Sequence, residues 1–400
     1  NLGELYRSLS KYPQALEYYE QSLVLRRKLK DANAEASTLN NIGSVYWETG
    51  DYPKALSYYE QALNLVNDLV IKGYILHNIG SVYDNQGNYK LALDYYGQAL
   101  AIRQGLKDNT GESVTLNSIA SVYDKQGNYD QALQYYQQAL VISQEFNYKI
   151  LEGAILNNIG AIYNNQGNYN RALEYYQQAL TIRRLVKDLI GESTTLDNMG
   201  ETYSNRGDYA QALQHLQEAL EIRQSIGDRQ GQGSTLHHIA SLYDSLGQND
   251  KALAYYEQAL IIRKSIGDRR GQAATLNNIA TVYDNLGDYT KTLESYQQAL
   301  KITQDLGDRL GEATVLNNLG TVAIKLQHPE EALGYYQKAL TIYRSLNDRS
   351  GESTALGNLG GFYHSLAKYA QALEYYQQAL DMRKSIGDRG GEANVRNNTG

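Results

Sequence analysis

The sequence predicts an all-α fold, a solenoid of about ten helical hairpins, and two observations support this prediction. Similar strings recur every 40 residues; residues 196–200 and 316–320, for example, lie three periods apart. Within each period, apolar residues follow the spacing of one helix face. A fixed period of this length is typical of chains in which each unit buries its apolar face against its neighbours and offers a long surface to partners.

One turn position recurs in every unit. It falls at residues 10, 50, 87, 127, 167, 207, 247, 287, 327 and 367, and every step is 40 residues except the 37 residues from Gly50 to Gly87. The period therefore favours a single domain over residues 1–400, rather than the roughly two or three domains that the length suggests. Because the chain begins and ends partway through a unit, we expect a fragment of a longer array, in which residues 391–400 form a partial eleventh unit or a polar cap.

The unit from residue 113 to residue 152 illustrates the predicted hairpin. The apolar face of its first helix has the i, i+3, i+4, i+7 spacing and consists of Leu116, Ile119, Ala120 and Tyr123. Gly127 then supplies a left-handed stop, and Asn128 with Gln131 has the spacing of a capping box that begins a helix. The apolar face of the second helix consists of Tyr129, Ala132, Leu133, Tyr136, Ala139 and Leu140. In a later unit Gln327 replaces the glycine, so we expect an altered turn there.

Composition argues against several functional classes. No cysteine is present, which removes disulfides, thiolate catalysis and Cys-based zinc sites and fits a cytoplasmic location. The net charge of −7 disfavours nucleic-acid binding, and no apolar run approaches the roughly 20 residues of a membrane helix. Among the histidines, His237 and His238 are adjacent and diverge by about 100° on a helix, so they do not form one metal site. We therefore expect no catalytic centre, no cofactor and no metal; the oligomeric state is left open.

The repeated residues resemble the tetratricopeptide repeat. In the fourth unit the matching residues are Ile119, Ala120, Tyr123, Gly127, Tyr129, Ala132, Tyr136 and Ala139. The resemblance implies a right-handed α-solenoid in which the first helices line a concave groove. The 40-residue unit is longer than the basic repeat and is similar to the arrays of kinesin light chains and Pins/LGN-type adaptors. It also resembles bacterial, notably cyanobacterial, arrays that precede CHAT protease domains.

Asparagines dominate the predicted groove. One series occupies a single position of the unit: Asn41, Asn78, Asn158, Asn198, Asn278, Asn318, Asn358 and Asn398. A second series occupies the position before it: Asn40, Asn117, Asn157, Asn277, Asn317 and Asn397. An amide offers donors and an acceptor, so these side chains could bind the backbone of an extended peptide, a role that the resemblance also implies. The alternative is that they hold neighbouring first helices together.

Carboxylates recur one turn further along the first helix. They are Asp84, Asp124, Asp244 and Asp284. A row of carboxylates favours a partner with Lys or Arg side chains, and the alternative is a solvated face. The single tryptophan, Trp47, occupies the same position in its unit and is an anchor candidate. It could instead cover the N-terminal edge of the array.

Arginines and aspartates recur near the connections between units. The arginines are Arg103, Arg183, Arg223, Arg263 and Arg383. Asp-Arg pairs follow in the connecting loops, for example at Asp228 and Arg229. We expect local ion pairs between units, each of small value because such pairs are usually exposed.

Two functions remain open from the sequence. The first is a protein-interaction scaffold that binds an extended, basic segment of a protein or peptide in the groove. The second is a regulatory or sensor arm of a larger signalling enzyme, for example a CHAT-type protease, whose catalytic domain lies outside residues 1–400.

Overall fold

The computed structural model describes residues 2–9, 11–385, 392 and 395, and over these residues it contains α-helices and no strand. The helices are α1 (Leu2–Ser8), α2 (Tyr12–Leu29), α3 (Ala32–Glu48), α4 (Tyr52–Leu65), α5 (Leu69–Asn85), α6 (Tyr89–Leu106), α7 (Asn109–Lys125), α8 (Tyr129–Glu145), α9 (Lys149–Asn165), α10 (Tyr169–Val186), α11 (Leu189–Arg206), α12 (Tyr209–Ser225), α13 (Arg229–Ser245), α14 (Asn249–Ser265), α15 (Arg269–Leu286), α16 (Tyr289–Leu306), α17 (Arg309–Lys325), α18 (Pro329–Leu346), α19 (Arg349–Ser365) and α20 (Tyr369–Ser385). The turn expected at Ser10, the Asp-Arg pair at 388–389 and the asparagines Asn397 and Asn398 fall outside the described residues.

The helices fall into two compact units, residues 1–206 and residues 207–400. In the first unit α3 to α10 pair as successive antiparallel hairpins, and α11 packs on α10. In the second unit α13 to α20 pair in the same way, and α12 packs on α13. This arrangement of stacked hairpins confirms the predicted all-α solenoid class.

The first helices of neighbouring hairpins also contact one another. In the first unit these helices are α3, α5, α7, α9 and α11, and in the second unit they are α13, α15, α17 and α19. Each set forms a continuous layer, and we call its solvent-facing side the first-helix face of that unit. Residues at one position of the repeat therefore lie side by side on this face.

The turns inside the hairpins have the predicted left-handed residue. Gly127 has φ of +74°, and the Asn128 side chain accepts a hydrogen bond from the Gln131 backbone N–H at 3.5 Å. The altered turn expected at Gln327 is wrong, because Gln327 adopts the same region with φ of +61°. Packing of the flanking helices maintains this conformation although a residue with a β-carbon reaches it at a cost of roughly 1–2 kcal/mol.

Small residues on the first helix allow a tyrosine of the second helix to approach. A β-carbon added to Gly160 would lie 2.7 Å from the Tyr176 ring, and one added to Gly80 would lie 2.7 Å from the Tyr96 ring. The tyrosine rings are buried, while the Tyr96 hydroxyl donates to Ser81 Oγ at 3.0 Å. The small residue therefore sets how closely the two helices of the hairpin approach each other.

Candidate functional site

The structure joins the two asparagine series into one hydrogen-bonded row on each unit. The side-chain amide of a first-series asparagine donates to the residue at the second-series position one hairpin earlier. In the first unit the pairs are Asn78 to Asn40 at 2.9 Å, Asn158 to Asn117 at 3.2 Å and Asn198 to Asn157 at 3.1 Å. In the second unit they are Asn278 to His237 at 3.1 Å, Asn318 to Asn277 at 3.0 Å and Asn358 to Asn317 at 3.1 Å. We call these pairs the amide ladder.

The ladder leaves hydrogen-bonding capacity on the first-helix face. Asn41 and the first-series asparagines of the ladder are half-buried, so each of these residues is partly exposed to solvent. A primary amide has two N–H donors and an oxygen with two lone pairs. Each pair uses one N–H of the donor and one lone pair of the acceptor. The same side chains can therefore tie hairpins together and still meet a ligand.

The carboxylates of the acidic series differ in their partners. Asp84 accepts from Lys125 Nζ at 2.8 Å, and Asp284 accepts from Lys325 Nζ at 2.7 Å. Asp124 and Asp244 are followed at the equivalent position by Asn165 and Asn285.

Burial raises the pKa of Asp124 and of Asp244, and Lys125 opposes that shift at Asp124. Asp84 and Asp284, by contrast, have the lysines Lys125 and Lys325 as counter-ions.

Trp47 shares a cavity with the ladder in the first unit. The cavity has a volume of about 270 Å³, and Trp47, Glu48, His77 and Asn78 line it together with Arg7. The indole is 37% exposed, and Arg7 lies 3.5 Å from the Glu48 carboxylate. Burial raises the pKa of Glu48, while the Arg7 charge opposes that shift. An aromatic ring, a carboxylate and a ladder amide therefore converge at one place.

The histidines near the ladder are neutral. Burial, with a smaller effect of Arg103, lowers the pKa of His77 to about 3, and burial with Arg263 lowers that of His237 to about 3. A neutral imidazole has an unprotonated nitrogen, which explains how His237 accepts the amide of Asn278. Within the described residues no three His, Cys, Asp or Glu side chains are grouped as metal ligands.

Sequence reasoning misjudged the repeating arginines. Arg103, Arg183, Arg223 and Arg263 are 3–7% exposed, so they are buried rather than surface residues. Their aspartate partners follow in the connecting loops, as in the 3.3 Å pair of Arg183 with Asp188. The predicted ion pairs are confirmed there, but Arg103, Arg223 and Arg263 also donate to backbone carbonyls of the next hairpin. Nothing in the spacing alone distinguishes a buried arginine from an exposed one.

No helix in the described part of the chain combines the length and apolarity that would be needed to cross a bilayer. Stacked hairpins with a shared first-helix face define the class of helical-repeat solenoid proteins. The tetratricopeptide repeat family model matches residues 1–68, 73–145, 151–225, 192–265 and 271–345, and a second model of that repeat matches residues 355–390. The chain belongs to the tetratricopeptide repeat family. No curated protein matches the sequence.

Several solved structures have the same fold. A Rap protein complexed with competence and sporulation factor has a TM-score of 0.61 and 14% identity, over 89% of this chain and 99% of that chain. The apo quorum sensor NprR from B. thuringiensis has a TM-score of 0.57 and 15% identity, over 90% and 99% of the two chains. A signal transduction ATPase with a tetratricopeptide repeat sensor, from Pyrococcus horikoshii, has a TM-score of 0.56 and 15% identity, over 85% and 54%. At these identities the likeness concerns the fold alone.

Proposed function

We propose that the protein is an interaction scaffold whose first-helix face binds an extended segment of a partner protein through the amide ladder. The observation that carries this proposal is the half-buried state of the first-series asparagines of the ladder, each hydrogen-bonded to its neighbour yet partly exposed to solvent. An anchored amide loses little side-chain entropy on binding, because it is already ordered.

The repeat distance suits an extended backbone. Packed helices lie roughly 8–10 Å apart, and an extended chain rises about 3.3 Å per residue. One ladder pair therefore meets the partner about every three residues. Contacts to backbone groups tolerate many side chains, so selectivity has to come from the flanks of the ladder.

The residues that flank the ladder favour a partner with positive charge and with one apolar side chain. Asp124 and Asp244 are the acidic residues of the series without a lysine at the equivalent position of the next hairpin. We propose that they attract Lys or Arg of the partner, while Trp47 provides an apolar contact beside Asn78. The occupant is thus a basic segment of a protein rather than a nucleic acid or a membrane.

The regulatory-arm alternative places the same surface in a different context. The Pyrococcus horikoshii protein described above combines such repeats, named as its sensor, with an ATPase. In that alternative, binding at the first-helix face would change the activity of a domain outside residues 1–400. The ladder has the same role in both proposals.

Peptide selection followed by substitution tests the proposal. Peptides selected from a random display library on the whole chain are measured by fluorescence anisotropy. Replacing Asn158, Asn198 and Asn278 by Ala should lower the affinity for the selected peptides by at least about tenfold, because each lost hydrogen bond contributes roughly 0.5–1.5 kcal/mol. Unchanged affinity in this triple variant would contradict the proposal.

A matched control separates recognition from stability. Asn128 caps α8 and lies outside the ladder, and Asn128→Ala should lower stability by about 1 kcal/mol through loss of the cap. Peptide affinity should remain as in the unsubstituted protein. If Asn128→Ala weakens the peptides as much as the triple variant does, the effect comes from stability and the ladder is not the site.

A further inference from the structure

Buried arginines fill one equivalent space between successive hairpins. Arg263 Nη1 donates to the Gly271 carbonyl at 2.8 Å and to Thr275 Oγ1 at 2.5 Å, and its Nε lies 3.6 Å from Asp268. Arg223 makes the corresponding bond to the Gly231 carbonyl at 2.6 Å. The space therefore presents a carboxylate and a backbone carbonyl to a guanidinium group.

The glycine in this arrangement makes room for the arginine. A β-carbon on Gly271 would lie 2.8 Å from Arg263 Cδ, and one on Gly191 would lie 1.5 Å from Arg183 Nη1. A buried arginine at the end of one hairpin therefore requires a glycine at the start of the next.

Junctions without the arginine are filled in other ways. Ser143 replaces it between α8 and α9, and Leu151 then replaces the glycine. Tyr343 replaces it between α18 and α19, where a β-carbon on Gly351 would lie 2.2 Å from the tyrosine ring. At each of these junctions one member of the pair is large.

The junction between α16 and α17 has two small residues instead. Thr303 stands where Arg263 stands one hairpin earlier, and its partner is Gly311. A cavity of about 490 Å³ lies here, within the roughly 300–1,000 Å³ typical of small-ligand sites. The Thr303 hydroxyl bonds to the Leu300 carbonyl of its own helix at 2.9 Å.

The lining of this cavity resembles the surroundings of Arg263, except that Val315 stands where Thr275 accepts from that arginine. Asp308 corresponds to Asp268, and Asn277 corresponds to His237, whose Nδ1 lies 3.5 Å from Arg263 Nη1. Ala273 and Val315 add apolar walls. Asn277 is a ladder residue, and Leu310 at the rim is 50% exposed, so the cavity opens on the first-helix face.

We propose that this cavity binds the guanidinium group of an arginine side chain carried by the partner segment. Asp308 and Gly311 line the cavity and stand at the repeat positions of Asp268 and Gly271, which contact Arg263, and the apolar walls accommodate the methylene stem. Arg270 lies 3.4 Å from Asp308 and its side chain is 80% exposed, so it competes for that carboxylate from the solvent side. The identity of the partner rests on the function proposed above, but the chemistry of the cavity does not.

Small probes test the cavity separately from peptide binding. N-acetyl-L-arginine methylamide and its lysine counterpart are titrated against the full chain by saturation-transfer NMR. The arginine probe should bind saturably and at least about tenfold more tightly than the lysine probe, because only a guanidinium offers a planar set of donors. Absence of arginine binding, or equal binding of the two probes, overturns the proposal even if selected peptides bind the ladder.

Two variants locate the probe. Thr303→Arg returns the chain's own guanidinium to the cavity, so it should abolish probe binding and raise the melting temperature. Asp308→Asn keeps the oxygen that caps α17, which accepts from the Gly311 N–H at 3.0 Å, but removes the charge. Asp308→Asn should lower the affinity for the arginine probe by about tenfold.

A third variant tests the competitor, since Arg270→Gln should tighten the arginine probe. Equal probe binding in the unsubstituted protein and in Asp308→Asn would overturn the assignment even if Thr303→Arg misfolds.

Discussion

The amide of Asn318 donates to Asn277 Oδ1 at 3.0 Å, and this bond links α17 to α15 across one hairpin. Under the proposed function, recognition and cohesion depend on the same side chains in this array. A substitution in the ladder changes both, and only a control of equal stability separates them.

The contact between Gly80 and Tyr96 should not tolerate a large side chain. Gly80→Leu is expected to destabilise the protein by roughly 1–3 kcal/mol, because a β-carbon there already overlaps the Tyr96 ring at 2.7 Å. Gly97→Leu in the same hairpin is the control, since a β-carbon there meets nothing within 4 Å. It should be neutral or slightly stabilising, and urea unfolding followed by circular dichroism compares the two. Equal midpoints for both variants would exclude the proposed overlap.

The Arg-Asp-Gly set at residues 263, 268 and 271 and the Ser-Tyr-Leu set at residues 143, 148 and 151 should be interchangeable. Arg263→Ser alone is expected to destabilise by roughly 2–3 kcal/mol, because it removes charged hydrogen bonds to Gly271 and Thr275. Gly271→Leu alone should also destabilise, since a β-carbon would lie 2.0 Å from Asp268 Oδ2.

The combination Arg263→Ser, Asp268→Tyr and Gly271→Leu copies the residues found at 143, 148 and 151. It should recover most of the loss in thermal melts. A triple variant less stable than either single variant would show that the two junction types are not equivalent.

Removing an internal counter-ion should raise affinity for basic segments. Lys125→Asn frees the Asp84 carboxylate, which Lys125 contacts at 2.8 Å, and makes the position like Asn165 of the next hairpin. The pair is partly exposed, so stability should change by less than about 1 kcal/mol. Affinity for a selected peptide with lysines should rise, and it should fall more steeply with added salt. Replacing the peptide's lysines by glutamine serves as the control and should remove both effects.

His77 should make the protein sensitive to acid. The folded pKa is about 3, well below the ordinary value, so between about pH 6.5 and pH 3 the unfolded chain binds a proton that the folded chain does not. This contribution is fully present above about pH 6.5 and is lost as the pH falls through that window.

His77→Asn supplies the residue that Asn117 provides one hairpin later. Going from about pH 7.5 to pH 4.5, the variant should lose roughly 1–2 kcal/mol less stability than the unsubstituted protein. Urea midpoints at the two pH values measure the difference, and parallel losses would disprove the assignment.

The period and the spacing of apolar residues were sufficient to predict the helices, the hairpins and the left-handed turns. They were not sufficient to predict the ladder bonds, because these bonds do not join residues at the same position of the repeat. Asn318 bonds to Asn277 and Lys325 to Asp284, and both offsets are 41 residues. A search for complementary side chains at that offset, rather than at 40, would have revealed both sets.

The cavity beside Thr303 was hidden from the sequence for a different reason. Threonine for arginine and glycine at 311 are each unremarkable alone. The space appears only once the structure shows that the end of one hairpin touches the start of the next. Burial of Arg263 in the equivalent place is likewise a property of packing, not of spacing.

Trp47 is the only tryptophan of the sequence, and it lies in the cavity that also contains Asn78. Indole fluorescence therefore originates from one place in residues 1–206, without any engineered label. A ligand that quenches this emission occupies the first unit, whereas an arginine probe seated beside Thr303 leaves the emission unchanged. The protein thus carries a natural optical reporter that distinguishes its two candidate binding places in a single titration.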